Sequence, residues 1–240
     1  MDIHGLQKLT LLDFPGRVAC TVFLQGCDLR CPFCHNGGLV LGGMEPVTDD
    51  AGLLDFLKKR RGLLDGVAIT GGGRAARPFP RGGEPLLRRE LPALLRSIKE
   101  LGYAVKLDTN GSHPEALRAV VATGLVDYVA MDIKNSPAKY AATVGLPGFD
   151  LTPVRQSAAL LLEGTVDYEF RTTAVAELHD DDSFREIAQW IAGAKRYYIQ
   201  CFIDRDSVLR TGLHAPDKAQ LERWADIVRP LIPSVELRGV

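Results

Sequence analysis

Apolar and polar positions along the chain alternate between two kinds of block. Short runs rich in β-branched and aromatic residues occur at 17–24, 66–70, 103–107, 126–131, 168–173 and 196–202 and read as buried strands. Segments with helical spacing of apolar residues lie between and after them, at 51–61, 86–101, 114–123, 153–163, 183–191 and 216–228. Leu91, Leu94, Leu95 and Ile98 fall on one face of the second of these, and Thr48-Asp49-Asp50 supplies a cap for the first. Residues 1–16 read as a short lead-in closed by the turn Asp13-Phe14-Pro15-Gly16, and 234–238 as a last extended segment.

About six strand–helix alternations call for a parallel sheet with right-handed crossovers. The expected fold is therefore α/β, an open partial (β/α)6 barrel with outer helices, in a single domain over 1–240. Polar residues recur where strands end: a cysteine loop after the first strand, then Thr70, Asp108, Asp132 and Arg171. Ligands bind at that face of parallel α/β proteins.

Composition narrows the function classes. The chain has 240 residues, 46% of them hydrophobic, enough for a core, and a net charge of −1. With no basic excess to neutralise phosphates, nucleic acid is not the expected partner. No apolar stretch approaches the ~18 residues of a membrane span, and the N-terminus has no signal-peptide pattern. Five cysteines, three of them crowded together, do not make a disulfide framework, so a reducing cytoplasm is expected.

The chemistry concentrates in Gly26-Cys27-Asp28-Leu29-Arg30-Cys31-Pro32-Phe33-Cys34-His35-Asn36. Three thiolates at C-x3-C-x2-C on one loop can grip one face of an iron–sulfur cube and leave a fourth iron for a non-protein ligand. A structural zinc site is the other reading, but it normally closes with four ligands in paired knuckles. Cys20 lies back in the strand and Cys201 far downstream, both expected as buried thiols acting as small apolar groups.

This loop resembles the signature of radical S-adenosylmethionine enzymes. The upstream Leu6-Gln7-Lys8-Leu9-Thr10-Leu11-Leu12-Asp13-Phe14-Pro15-Gly16 resembles glycyl-radical-enzyme activases, and most of all the activating protein of anaerobic ribonucleoside-triphosphate reductase. The resemblance covers nearly the whole chain. It implies the open barrel of the radical-SAM type, with a [4Fe–4S] cluster on Cys27, Cys31 and Cys34 and S-adenosylmethionine chelating the fourth iron. Reductive cleavage would then give a 5′-deoxyadenosyl radical that takes a hydrogen atom from a glycine of a partner enzyme. A flavodoxin- or ferredoxin-like protein is implied as electron donor.

The same resemblance assigns cofactor contacts. Phe33 and His35 match positions near the cofactor; ordinary core packing and a turn cap are the plainer readings of each. Lys134 would face the methionyl carboxylate, and Arg171 matches a further contact position whose plainer reading is a surface ion pair. Asp108, Thr109 and Asp132 match positions that hold a monovalent cation in related activases. On physical grounds alone, two carboxylates and an ammonium at successive strand ends suit a zwitterionic amino acid or a cation, or else cap the following helices.

Two departures stand out. The family's uninterrupted Gly-Gly-Glu-Pro is split here: Thr70-Gly71-Gly72 and Gly82-Gly83-Glu84-Pro85 flank a Gly-, Pro- and Arg-rich stretch. Removing Gly73 through Gly83 restores the motif, so a loop insertion at 73–83 is expected. Gly82, Gly83 and Glu84 are the expected contacts for the methionyl amino group. In addition, the histidine that some activases carry after the strand ending at Phe202 is missing, and His214 lies too far along to stand for it. Two other functions fit parts of the pattern: a radical enzyme acting on a small purine-like metabolite, and a non-catalytic iron–sulfur or zinc protein.

Overall fold

The computed structural model describes residues 1–34, 45–71, 83–204 and 208–240. Its contacts divide the chain into two units. Met1–Asp28, His35–Thr109 and Glu115–Val129 form the first; Leu29–Cys34, Asn110–Pro114 and Ala130–Val240 form the second.

The first unit contains β1 (Asp2–Ile3), β2 (Gly5–Thr10), β3 (Ala19–Phe23), β4 (Thr48–Asp49), α1 (Asp50–Lys58), β5 (Gly66–Thr70), α2 (Leu91–Glu100), β6 (Ala104–Thr109) and most of α3 (Pro114–Ala122). Its sheet runs β2-β3-β5-β6, with β2 antiparallel to β3 and the rest parallel; β1 and β4 make a separate antiparallel pair. Every residue of β3 and β5 is buried, which explains why both read as continuous apolar runs rather than alternating ones. Phe14 is tucked beneath them: a Cβ on Gly66 would come 2.8 Å from its ring. The Thr21 hydroxyl donates to Asp13 at 2.5 Å, so the Asp13–Gly16 turn is tied to β3.

Two details differ from the sequence reading. The lead-in is not merely a turn, because it supplies β2, whose mixed burial gives no clean alternation to detect. The helix expected over 86–101 starts only at Leu91, after a 3-10 turn at Pro85–Leu87. Pro92 accounts for the start: it lacks an N–H and belongs in a first turn, where that donor has no intrahelical acceptor.

The second unit takes up β7 (Tyr128–Asp132) from Ala130 onward. It continues with α4 (Tyr140–Thr143), α5 (Thr152–Leu162), β8 (Asp167–Ala174), α6 (Asp181–Trp190), β9 (Tyr197–Cys201), α7 (Lys218–Val228) and β10 (Val235–Arg238). The strand order is β7-β8-β9-β10, with β8, β9 and β10 parallel. Asp180 and Asp217 close capping boxes at the starts of α6 and α7. Phe184 and Trp224 stack at 4.7 Å where those helices meet. The result is the mainly parallel α/β architecture expected. Among the described residues no helix is long and apolar enough to cross a membrane.

Candidate active site

In the first unit, β3 delivers Gln25-Gly26-Cys27, and the main chain there is fixed by a returning segment. Gly26 pairs with Gly83 in an isolated parallel bridge, and the Glu84 N–H donates to the Gly26 carbonyl at 2.7 Å. The Arg88 guanidinium donates to the Gln25 carbonyl. Only glycine fits at two points of this arrangement. A Cβ on Gly83 would lie 2.0 Å from the Leu24 carbonyl oxygen, and one on Gly71 would lie 1.1 Å from that of Gly83. The two halves of the split glycine motif therefore meet.

Glu84 is buried, and one carboxylate oxygen accepts from the Leu86 N–H at 3.1 Å and the Thr109 hydroxyl at 2.8 Å. It thereby caps the 3-10 turn and holds the end of β6. On β6 itself, Lys106 and Asp108 stand two residues apart, hence on one face of the strand. Lys106 is only 2% exposed, and its ammonium pairs with the Asp108 carboxylate.

In the second unit, Leu29–Cys34 is a tight loop. The Cys34 N–H donates to the Cys31 carbonyl at 3.0 Å, and the Leu209 and Arg210 N–H groups donate to the Cys34 and Pro32 carbonyls. Gly145, at φ +70°, lets its neighbour pass close: a Cβ there would meet the Arg30 carbonyl at 2.3 Å. Phe33 is buried. Burial pushes the Cys31 thiol up to about 12, against the pull of the Lys134 ammonium. Such a thiol ionises readily only when it ligates a metal. Cys27 and Cys34 are half-buried.

Asp132, at the end of β7, is gripped from both sides. Arg171 Nε donates to Oδ1 at 2.9 Å, and Lys134 Nζ to Oδ2 at 2.8 Å. Burial would push this carboxyl up, but the Arg171 guanidinium and the Lys134 ammonium outweigh it and hold it at about 2. Burial opposes the charge on Lys134 too, yet Asp132 and then Cys31 carry its value above the ordinary one. At 11% exposed, the Arg171 side chain is not the surface ion pair of the plainer reading.

A buried histidine fixes the turn that carries Lys134. The Val175 N–H donates to His179 Nδ1 at 3.1 Å, so Nε2 bears the proton and donates to the Lys134 carbonyl at 2.9 Å. Burial lowers the His179 value, which keeps the ring neutral. Asn135 Nδ2 donates to the Leu178 carbonyl and to the Thr143 hydroxyl, each at 2.8 Å. The loop after β7 is thus stitched to the loop after β8.

The family model of the radical SAM superfamily matches residues 21–191. The chain belongs to the radical SAM superfamily. Along 99% of its length and 96% of the relative's, it is 30% identical over 249 aligned positions to a Methanocaldococcus jannaschii protein named as a glycyl-radical enzyme activating enzyme. The pyruvate formate-lyase-activating enzyme of Clostridium pasteurianum is 34% identical over 140 residues, 55% of this chain and 52% of that one. The crystal structure of Streptococcus suis SuiB superposes with a TM-score of 0.69 at 15% identity, over 91% of this chain and 48% of that one, a likeness of fold.

Radical SAM membership implies a [4Fe–4S] cluster and S-adenosylmethionine, and the described donor set fits them. Cys27, Cys31 and Cys34 are thiols at C-x3-C-x2-C spacing, with Cys31 buried, and a cube takes one thiolate at each of three corners. His35, Gly82 and residues 73–82 of the expected insertion lie outside the described residues. Lys106, Arg88 and His179 were not singled out from sequence. For Lys106 a signal existed, a charge inside the apolar run Val105-Lys106-Leu107 two residues before Asp108.

Proposed function

We propose that this radical SAM protein installs a glycyl radical in a partner enzyme, with an anaerobic ribonucleotide reductase as the partner that its Leu6–Gly16 segment favours. The observation that carries the reading is the bridge between Gly26 and Gly83. It sets the Gly83-Glu84 main chain beside the residue that precedes Cys27. Relatedness along 99% of the chain to a protein named for glycyl-radical activation supports it.

In this reading Cys27, Cys31 and Cys34 hold the cluster. When bound, the cluster supplies the electron that opens a carbon–sulfur bond of S-adenosylmethionine. The Gly83 and Glu84 main chain receives the cofactor's amino group. Lys134, steadied by Asp132 and His179, takes the carboxylate, and Arg171 keeps Asp132 charged. By the same resemblance, Asp108 helps to hold the methionyl end and Phe33 contacts the adenine. A flavodoxin- or ferredoxin-like protein donates the electron. Apolar packing around Cys31 and Phe33 keeps water from the reacting end.

The test is anaerobic reconstitution with iron and sulfide, followed by measurement of 5′-deoxyadenosine with and without candidate glycyl-radical enzymes. Cofactor cleavage coupled to a stable radical on the partner supports the reading. Cleavage that instead depends on an added purine-like metabolite replaces the partner protein with a small substrate. Stoichiometric zinc without iron overturns the reading altogether.

A further inference from the structure

Lys106 is a fully buried cation that none of these roles uses. Its row across the first unit's sheet is Thr21, Ala68 and Lys106, in register on β3, β5 and β6. Alanine at the centre leaves room for the lysine stem, and Thr21 turns its hydroxyl to Asp13. Two residues further along the same face of β6, Asp108 takes the ammonium. Among the described residues Asp108 is the carboxylate that Lys106 meets. An ammonium is costly to hold at 2% exposure, and one carboxylate uses only one of its three donors.

The residues that resemble a monovalent-cation site are already served by the protein. Asp108 faces the Lys106 ammonium, the Thr109 hydroxyl donates to Glu84, and Asp132 is held by Lys134 and Arg171. In the first unit the Lys106–Asp108 pair sums to zero charge. In the second, Asp132 with two cations sums to +1, which suits a carboxylate ligand. A free ion brought against Asp108 would meet the ammonium of Lys106 and be repelled.

We propose that Lys106 is a built-in cation: its ammonium replaces a bound monovalent ion beside Asp108, and S-adenosylmethionine binds without potassium or sodium. This rests on the reading of Asp108 as a residue near the cofactor's carboxylate.

The test is calorimetric binding of S-adenosylmethionine to the anaerobically reconstituted holoenzyme in potassium, sodium or tetramethylammonium chloride at one ionic strength. The expected result is the same affinity in all three, within about twofold. A loss of about tenfold or more in tetramethylammonium overturns the inference while leaving the proposed function in place. Absence of binding in every salt overturns both. Lys106→Met should bind about tenfold or more weakly in tetramethylammonium and recover in potassium. Binding by this variant that is equally strong in both salts also overturns the inference. If Lys106→Met does not fold, the wild-type salt comparison decides alone, and Lys106→Arg, which keeps the charge, should stay indifferent to potassium.

Discussion

Gly71 and Gly83 lie main chain against main chain, so close that a Cβ on Gly71 would sit 1.1 Å from the Gly83 carbonyl oxygen. The chain leaves this point after Gly71 and is back against it at Gly83. Deleting Gly73 through Gly83 leaves Thr70-Gly71-Gly72-Glu84-Pro85, the uninterrupted motif, in which Gly72 takes the place of Gly83 before Glu84. Loop length carries only a shallow entropic penalty, so the parent tolerates the extra residues and the core does not need them. The deletion variant should fold, keep its cluster and cleave S-adenosylmethionine at least as well as the parent. Thermal unfolding and a 5′-deoxyadenosine assay check this; a variant that cannot fold would show that the segment is not a loop.

The cysteines divide into two groups. Alanine at Cys27, Cys31 or Cys34 should abolish cluster binding, read as iron per chain after anaerobic reconstitution. Cys20 is fully buried, and burial pushes its thiol up to about 12; Cys201 is only half-buried, against expectation, and donates weakly to the Phe202 and Pro216 carbonyls. Cys20→Ala and Cys201→Ala should both retain full iron content.

Lys134→Ala removes a charge-assisted contact to the cofactor and leaves Asp132 with Arg171 alone. Such a contact is worth roughly 1.5–3 kcal/mol, so affinity for S-adenosylmethionine should fall about ten- to a hundredfold. Calorimetry on the reconstituted variant, with iron content unchanged, is the check. Unaltered affinity would remove Lys134 from the site.

His179 gives the fold an acid sensitivity with a definite sign. Its folded value lies below the ordinary ~6.5 because burial penalises the charged ring; the hydrogen bonds to the Lys134 and Val175 main chain oppose this, the Lys139 ammonium adds to it and Asp180 opposes it. The unfolded chain therefore takes up the proton first. Stability is complete above about pH 6.5 and declines as pH falls below it. His4, also lowered by burial, adds to the slope. His179→Gln should lose about 1 kcal/mol at pH 7.5 and show a shallower decline between pH 7 and 5 than wild type. Denaturant unfolding at each pH measures both, and parallel slopes would contradict the assignment.

Much of the architecture was legible because strands buried on both faces read as unbroken apolar runs and amphipathic helices keep their period. The cysteine loop was legible because three soft ligands at short spacing have few other uses. What escaped depends on contacts the sequence does not advertise. The period of two puts Lys106 beside Asp108, but that the pair is buried cannot be read from β6 alone. His179 lies 45 residues from Lys134, and nothing local marks it as that residue's support. β2 was missed because its partial exposure blurs the alternation on which such a reading relies.

The most direct test of the central claim is electron paramagnetic resonance on a glycyl-radical enzyme incubated anaerobically with the reconstituted protein, S-adenosylmethionine and reductant. The account predicts a glycyl radical on the partner that requires all three and vanishes with Cys31→Ala. A protein that holds its cluster and cleaves S-adenosylmethionine, yet leaves an anaerobic ribonucleotide reductase and every other glycyl-radical enzyme supplied without that signal, would contradict it.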